Sequence, residues 1–213
     1  MKLLIATKNK GKFNEICGVL KADTSVFGEN FDVVFLGDLN VSDDDFFEDG
    51  ATHAENAYKK ASYYASKFKD DFDFVLGEDS GIYVNALADE LGLQTRRWGA
   101  GASASDEEWL EYFMREMEKK ASDDDLRGAK FVCSACFLGD GIVEYFEGET
   151  FGKIVYEKQA EILSGLPLSS VFLPDGYDKV YAALSREEKN AISHRGRAMN
   201  KVKDFLINLK NGI

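Results

Sequence analysis

Two carboxylates stand side by side in Gly77-Glu78-Asp79-Ser80-Gly81, at the end of the apolar run 72–76. Inside a strand, neighbouring side chains face opposite sides. At a strand end, a bend would bring both to one point. Paired carboxylates without a counter-ion repel and raise each other's pKa. A hard divalent cation such as Mg²⁺ relieves that repulsion, because it takes carboxylate oxygens and bridges to phosphates. One carboxylate of the pair can then orient or deprotonate a water. The plainer reading is a polar turn, since Asp-Ser-Gly is ordinary turn chemistry.

Two cationic stretches complement these acids. Thr7, Lys8, Asn9, Lys10, Gly11 and Lys12 lie between the apolar run 3–6 and a helical stripe of Phe13, Ile16 and Leu20. A strand, a polar loop and a helix N-terminus make an anion site, because free backbone N–H groups and the helix dipole point into the loop. Three lysines gathered in a chain of formal net charge -12 point to a small acidic ligand. A solvated basic turn is the plainer alternative. The second stretch is Ser193-His194-Arg195 at a predicted helix start, with Lys189 just upstream. Cations are unfavourable there unless an anion is bound. Arginine offers a bidentate fork to phosphate, and histidine can donate to a base or a phosphate oxygen. A capped surface helix with solvated basic residues is the alternative.

The elements that must position these residues follow from periodicity. Strands are predicted at 3–6, 31–36 and 72–76, with 82–84 continuing beyond a bend. Helices are predicted from Lys12 to near Ala22, from Thr52 (capping pattern with Glu55) and from Ser105 (with Glu108, and Trp109, Phe113 and Met117 inward). Residues 129–138 alternate as a strand, Gly139-Asp140-Gly141 is a hairpin turn, and 142–146 returns, with 152–156 extending or neighbouring the sheet. Residues 165–178 read as loop. Ser185 and Ser193 cap two closing helices, the last packing through Ala198, Val202, Phe205, Leu206 and Leu209. Strands alternating with helices, then a long hairpin, predict an α/β fold with a mixed sheet flanked by helices.

Composition bounds the function. The chain has 213 residues, 45% hydrophobic and 30% charged, ordinary for a soluble globular protein. Its acidic balance argues against nucleic-acid binding, which needs a basic face. Three cysteines without framework spacing point to a reducing compartment. No stretch has signal-peptide or membrane-span character, so a cytoplasmic location is expected. Other motifs carry less. Cys133 and Cys136 match C-x-x-C, but residues three apart on a strand face opposite sides, so two buried thiols are expected. His53 has no second histidine nearby, which argues against a metal role. Asp43, Asp44 and Asp45 read as a solvated acidic run or the source of one metal ligand. Glu55 is explained as a cap. Gly99-Ala100-Gly101 lacks the context of a dinucleotide site.

Taken together, ATKNKGK, GEDSG and EEKNAISHRGRA resemble the N-terminal phosphate loop, the acidic motif and the C-terminal signature of the inosine/xanthosine triphosphate pyrophosphatases. THAENAYKKA and FLPDGYDKVYAALS also resemble stretches of that family, so the likeness spans nearly the whole chain, read as one domain over 1–213. The resemblance implies an elongated mixed α/β fold with a cleft between two lobes, usually as a homodimer. It implies Mg²⁺-dependent hydrolysis of aberrant purine nucleoside triphosphates (ITP, dITP, XTP) to the monophosphate and pyrophosphate, in nucleotide-pool sanitation. Thr7, Asn9 and Lys12 would hold the triphosphate, with Lys8 adding positive field. Asp79 would bind Mg²⁺ and act as base, Glu78 would support the metal, and Ser80 would contact substrate. A further metal ligand is placed at Asp45, with Asp44 as fallback. Lys189, His194 and Arg195 would line the base and phosphate end.

One departure bears on substrate. Where the family carries G-F-G-[YW]-D-P, this chain reads Gly165-Leu166-Pro167-Leu168-Ser169-Ser170. The aromatic position becomes Leu166 and the acidic position Ser169; Arg97 or Trp98 could supply a replacement stacking surface. Two rival readings follow: the same reaction on a different or modified base, or a nucleotide-binding protein with little turnover.

Overall fold

The computed structural model describes residues 1–21, 31–42, 46–88, 90–101 and 103–211. Among them is a six-stranded sheet in the order β2-β1-β3-β4-β5-β6. Its strands are β1 (Lys2–Ile5), β2 (Asp32–Phe35), β3 (Phe74–Val84), β4 (Gly128–Gly139), β5 (Ile142–Ile154) and β6 (Phe172–Pro174). β1 pairs parallel with β2 and β3. β3 through β6 pair antiparallel. The predicted mixed sheet is therefore found. Among the described residues five α-helices accompany it: α1 (Lys10–Leu20), α2 (His53–Lys67), α3 (Asp106–Lys120), α4 (Arg186–Ile192) and α5 (His194–Asn211).

Local chemistry explains most boundaries. Asn9, not Lys12, opens the first helix: its side chain accepts from the Lys12 N–H at 3.0 Å. Asparagine is a strong N-cap because its side-chain oxygen replaces a missing helical acceptor. Thr52 caps α2, and Ser105 and Ser185 form full capping boxes with Glu108 and Glu188. The Ser193 hydroxyl accepts from the Gly196 N–H at 2.9 Å, capping α5. At the β4–β5 turn, Asp140 and Gly141 have φ of 49° and 76°, the left-handed pair that a two-residue hairpin loop needs.

Three expectations are corrected: the first is that 165–178, read as loop, contains strand β6, paired antiparallel with β5. β3 does not bend after Leu76 but runs unbroken through Glu78 and Asp79, paired with β4 along its length. β5 likewise continues past Phe146 to Ile154. In both, ladder hydrogen bonds to β4 hold extended a stretch whose polar composition reads as loop.

Because strands alternate faces, the sheet sorts its side chains. One face carries Leu3, Ile5, Leu76, Cys133 and Ala135 against Ile16 of α1 and Ala198, Met199 and Val202 of α5. The other carries Leu4, Ala6, Val75 and Cys136 against Ala57, Ala61 and Tyr64 of α2. The two cysteines are free, buried and on opposite faces, as expected. Toward the far end, Ile82 and Val84 join Trp109, Phe113 and Met117 of α3 with Phe172 and Tyr181. Gly77 lets α2 lie directly on β3: a Cβ there would come within 2.1 Å of the Ala57 carbonyl oxygen. Among the described residues, no helix is long and apolar enough to cross a membrane.

Candidate active site

The unbroken β3 strand sends Glu78 and Asp79 to opposite faces, so they do not share one point as a strand-end bend would require. Glu78 faces α1 and α5. Its Oε1 accepts from Arg195 Nε (3.1 Å), Arg195 Nη2 (2.9 Å) and Cys133 Sγ (3.6 Å). Its Oε2 accepts from Lys12 Nζ at 2.9 Å. Burial would raise this carboxyl, but Arg195, Lys12 and Lys60 together hold it well below the usual carboxylate range. Arg195 also donates to Ser80 Oγ at 2.9 Å and pairs with Glu15. The anion that permits cations at the start of α5 is therefore the protein's own pair of carboxylates.

Asp79 faces α2. Its Oδ2 meets His53 Nδ1 at 2.8 Å and accepts from Asn56 Nδ2 at 3.1 Å, while Oδ1 accepts from the Ser80 N–H at 2.9 Å. Burial pushes its carboxyl up; the His53 hydrogen bond and the charges of Lys12 and Lys60 outweigh that and lower it. Asp79 thus stays ionised at neutral pH.

Beside this strand lies a cleft of about 570 Å³. Thr7, Lys8, Asn9 and Lys12 line one part of it, with Ser80, Lys189 and Arg195. Lys8 donates to the carbonyls of Val41 (3.3 Å) and Ser42. Asn9 donates to the Gly165 carbonyl at 2.9 Å, tying the first loop to the 165–170 stretch. Lys189 pairs with Glu15 at 2.6 Å and donates to Ser169 Oγ at 3.2 Å. Burial would raise Glu15, but Arg195 and Lys189 lower it. Leu166 and Ser169 also line the cleft. Except for Asp45, the predicted site residues line the cleft or bond to residues that do. Asp43, Asp44 and Asp45 lie outside the described residues.

His194 lies stacked on Phe131, with ring centroids 4.6 Å apart and planes at 9°. Burial first, then Arg195 beside it, holds its pKa well below the ordinary value, so the ring is neutral. Its Nδ1 is buried without a hydrogen-bond partner, as are Tyr181 Oη and Trp109 Nε1. All three residues line the cleft with Phe131 and Leu166. Trp98 is not part of that wall; it packs on Trp109 and Tyr112 and donates to Glu90 at 3.2 Å. Arg97 does line the cleft, 3.7 Å from Glu48.

Sequence reasoning missed several of these residues. His53 showed only the absence of a second histidine, whereas its partner is a carboxylate 26 positions away. Glu15 drew no reading from the sequence, yet it pairs with both Lys189 and Arg195. Glu48, read within an acidic run, lines the cleft, pairs with Lys60 and sits in the loop that enters α2. Lys60 donates to the Glu78 carbonyl at 3.0 Å, and its charge is felt by Asp79. Trp109 read as an inward helix residue, which it also is, and Phe131 and Tyr181 drew no reading. The signal that could have found Glu48 and Lys60 is helical spacing: Lys60, Asn56 and His53 recur every three or four residues on one face of α2.

For a hard cation, the donor chemistry fits in part. Glu48 and Asp79 supply ionisable oxygens near the shared Lys60, but both Glu48 oxygens face cations, Lys60 and Arg97, as both Glu78 oxygens face Arg195 and Lys12. Among the described residues no group of three or more His, Cys, Asp or Glu side chains gathers to hold a metal.

Comparison with known proteins agrees with this architecture. The model of the Ham1 family matches residues 3–205. The chain is 36% identical to the dITP/XTP pyrophosphatase of Aquifex aeolicus, covering 98% of each chain. It is 35% identical to that of Clostridium perfringens, covering 96% of this chain and 97% of the relative. A HAM1 protein from Coxiella burnetii superposes with a TM-score of 0.76 at 27% identity, covering 97% of this chain and 98% of that one. The Ham1 protein of Staphylococcus aureus does so with 0.74 at 31% identity and the same coverage. The chain belongs to the Ham1 family.

Proposed function

We propose that this cleft hydrolyses a purine nucleoside triphosphate of the inosine or xanthosine kind to the monophosphate and pyrophosphate. The observation that carries the reading is the division of one cleft into a cationic part (Lys8, Lys12, Lys189, Arg195) and an aromatic wall (Trp109, Phe131, Tyr181). Lysines and an arginine suit phosphates, and flat apolar walls suit a base. The names of the relatives, dITP/XTP pyrophosphatase, point the same way.

Asp79 is the residue assigned to the attacking water. Its depressed pKa keeps it ionised, so it orients the water and accepts its proton as the bond to the α-phosphorus forms and pyrophosphate leaves. Lys12, Arg195 and the N-terminus of α1 would hold phosphate oxygens in place. Asp79 and Glu48 would hold Mg²⁺, which supplies charge neutralisation on the phosphates when bound. Glu78 serves in this scheme as the fixed counter-ion that aims Lys12 and Arg195. His194, being neutral, can accept as well as donate a hydrogen bond toward a base.

A panel of nucleoside triphosphates with Mg²⁺ and pyrophosphate detection tests this. Preferred turnover of inosine and xanthosine triphosphates is the expected result. Release of orthophosphate, or no turnover of any nucleotide, would overturn it. Leu166 and Ser169 favour one second reading, the same reaction on a different base, and strong preference for another nucleotide in the panel would select it.

A further inference from the structure

We propose that His53 is a positioning residue for Asp79, a role that rests on the pyrophosphatase reading above. The two are separated by 2.8 Å, His53 Nδ1 to Asp79 Oδ2, with both side chains buried. An ionised carboxylate only accepts, so Nδ1 carries the proton and donates. On its other side, His53 Nε2 lies 3.3 Å from the Tyr83 hydroxyl. Tyr83 therefore holds the second ring nitrogen while Nδ1 faces the carboxylate. The tyrosine ring meets the imidazole edge-on at 90°, with centroids 6.1 Å apart. Gly81 leaves room for the imidazole: a Cβ there would come within 2.9 Å of His53 Cε1.

Asn56 supplies the second half of the grip. It stands three residues after His53, on the same face of the first turns of α2, and donates to the same Oδ2. Two donors from one rigid helix therefore fix this oxygen, and the packing of Gly77 on Ala57 fixes the helix to the strand. A carboxylate so held has one rotamer, which is what a water-orienting group needs. Neither His53 nor Asp79 is among the residues lining the cleft; Asp79 borders it through Ser80, from whose N–H it accepts, and His53 lies one hydrogen bond further back.

The test has a kinetic arm and a spectroscopic one. Replacing His53 by Leu removes the donor, while His53→Asn places an amide N–H close to where Nδ1 stood. His53→Leu should lower kcat about 10–100-fold, as losses of such supporting hydrogen bonds do, with KM little changed. His53→Asn should recover most of that loss. Long-range ¹H–¹⁵N spectra of the wild type should show His53 with a protonated Nδ1; the chain has only two histidines to assign. Wild-type kcat in His53→Leu would overturn the proposal, as would no recovery in His53→Asn or an unprotonated Nδ1. If His53→Leu does not fold, the comparison of His53→Asn with wild type and the spectrum still decide. If the wild type turns over no triphosphate, the function reading fails instead, and the spectrum still judges the geometry.

Discussion

Arg195 holds Glu78 through two nitrogens on a single carboxylate oxygen, at 3.1 and 2.9 Å, across 117 positions of sequence. The pair is almost fully buried. Removing one member of such a pair leaves the other charge desolvated and uncompensated, a loss of ~3–5 kcal/mol. Glu78→Gln should therefore cost stability of that order in chemical denaturation. A change below about 1 kcal/mol, within the range of an exposed ion pair, would show that Glu15 alone satisfies Arg195.

This relationship marks the boundary of what the sequence could tell. The order of the first five strands and the helices, the caps at Thr52, Ser105 and Ser185, the Asp140-Gly141 hairpin and the opposed cysteines were legible, because each depends on a few neighbouring residues; β6, inside a stretch read as loop, was not. The course of β3 was not. Gly77-Glu78-Asp79-Ser80-Gly81 reads as a turn by composition, and only pairing with Cys136 to Val132 of β4 keeps it extended. The site was legible as three motifs, but which acid meets which cation depends on the face of the strand. That face is set by a register that local composition does not encode. His53 and Glu15 became informative only once α2 and α1 were packed on the sheet.

Stability should fall with pH in two windows. His194 has a depressed folded-state pKa. Its contribution is present above the unfolded value, about 6.5, and is lost as pH falls below it, because the unfolded chain then binds the proton more readily. Glu78 and Glu15 are also depressed. Their stabilisation is full above about pH 4.3, the unfolded Glu value, and disappears as pH falls through their folded values. Free energies of unfolding across pH should be flat above 7, decline below about 6.5 and drop steeply below about 4.3. His194→Phe should remove the upper decline and leave the lower one; an unchanged upper decline would refute the assignment.

Asp79→Asn removes the charge but keeps the size and one acceptor oxygen. If Asp79 takes the proton of the attacking water, kcat should fall by ~10²–10⁴. Pyrophosphate release at the wild-type rate would remove Asp79 from that role. Because the side chain is buried beside His53 and Asn56, thermal unfolding of the variant should be measured alongside, so that a kinetic loss is not mistaken for unfolding.

Lys12 is shared between Glu78, which it meets at 2.9 Å, and the cleft it lines. Lys12→Ala should weaken triphosphate binding and also unbalance Glu78. The two effects separate by ligand: the rise in KM should be large for a triphosphate and small for the affinity of the nucleoside alone. Equal loss for both would mean that Lys12 acts only through the fold.

Leu166 is where the base-binding prediction can be made to fail in the other direction. It lines the cleft at a position where an aromatic residue was expected from the resemblance. The surrounding wall already holds Trp109, Phe131 and Tyr181, but their rings pack in the apolar core with Val171 and Phe172. Introducing a ring by Leu166→Tyr should add base stacking worth ~1–3 kcal/mol, equivalent to about a 5–150-fold lower Kd for a purine nucleotide. The gain should appear in KM, not in kcat, because stacking on a remote base is made equally in the ground and transition states. Gly11 of α1 lies close to this side chain, a Cβ there coming within 3.0 Å of Leu166 Cγ, so the side toward α1 leaves the new ring less room than the cleft does. Titration of a slowly hydrolysed nucleotide against both proteins measures it. If the variant binds no more tightly, then Leu166 does not border the base, and the aromatic wall beyond it must supply the stacking surface alone.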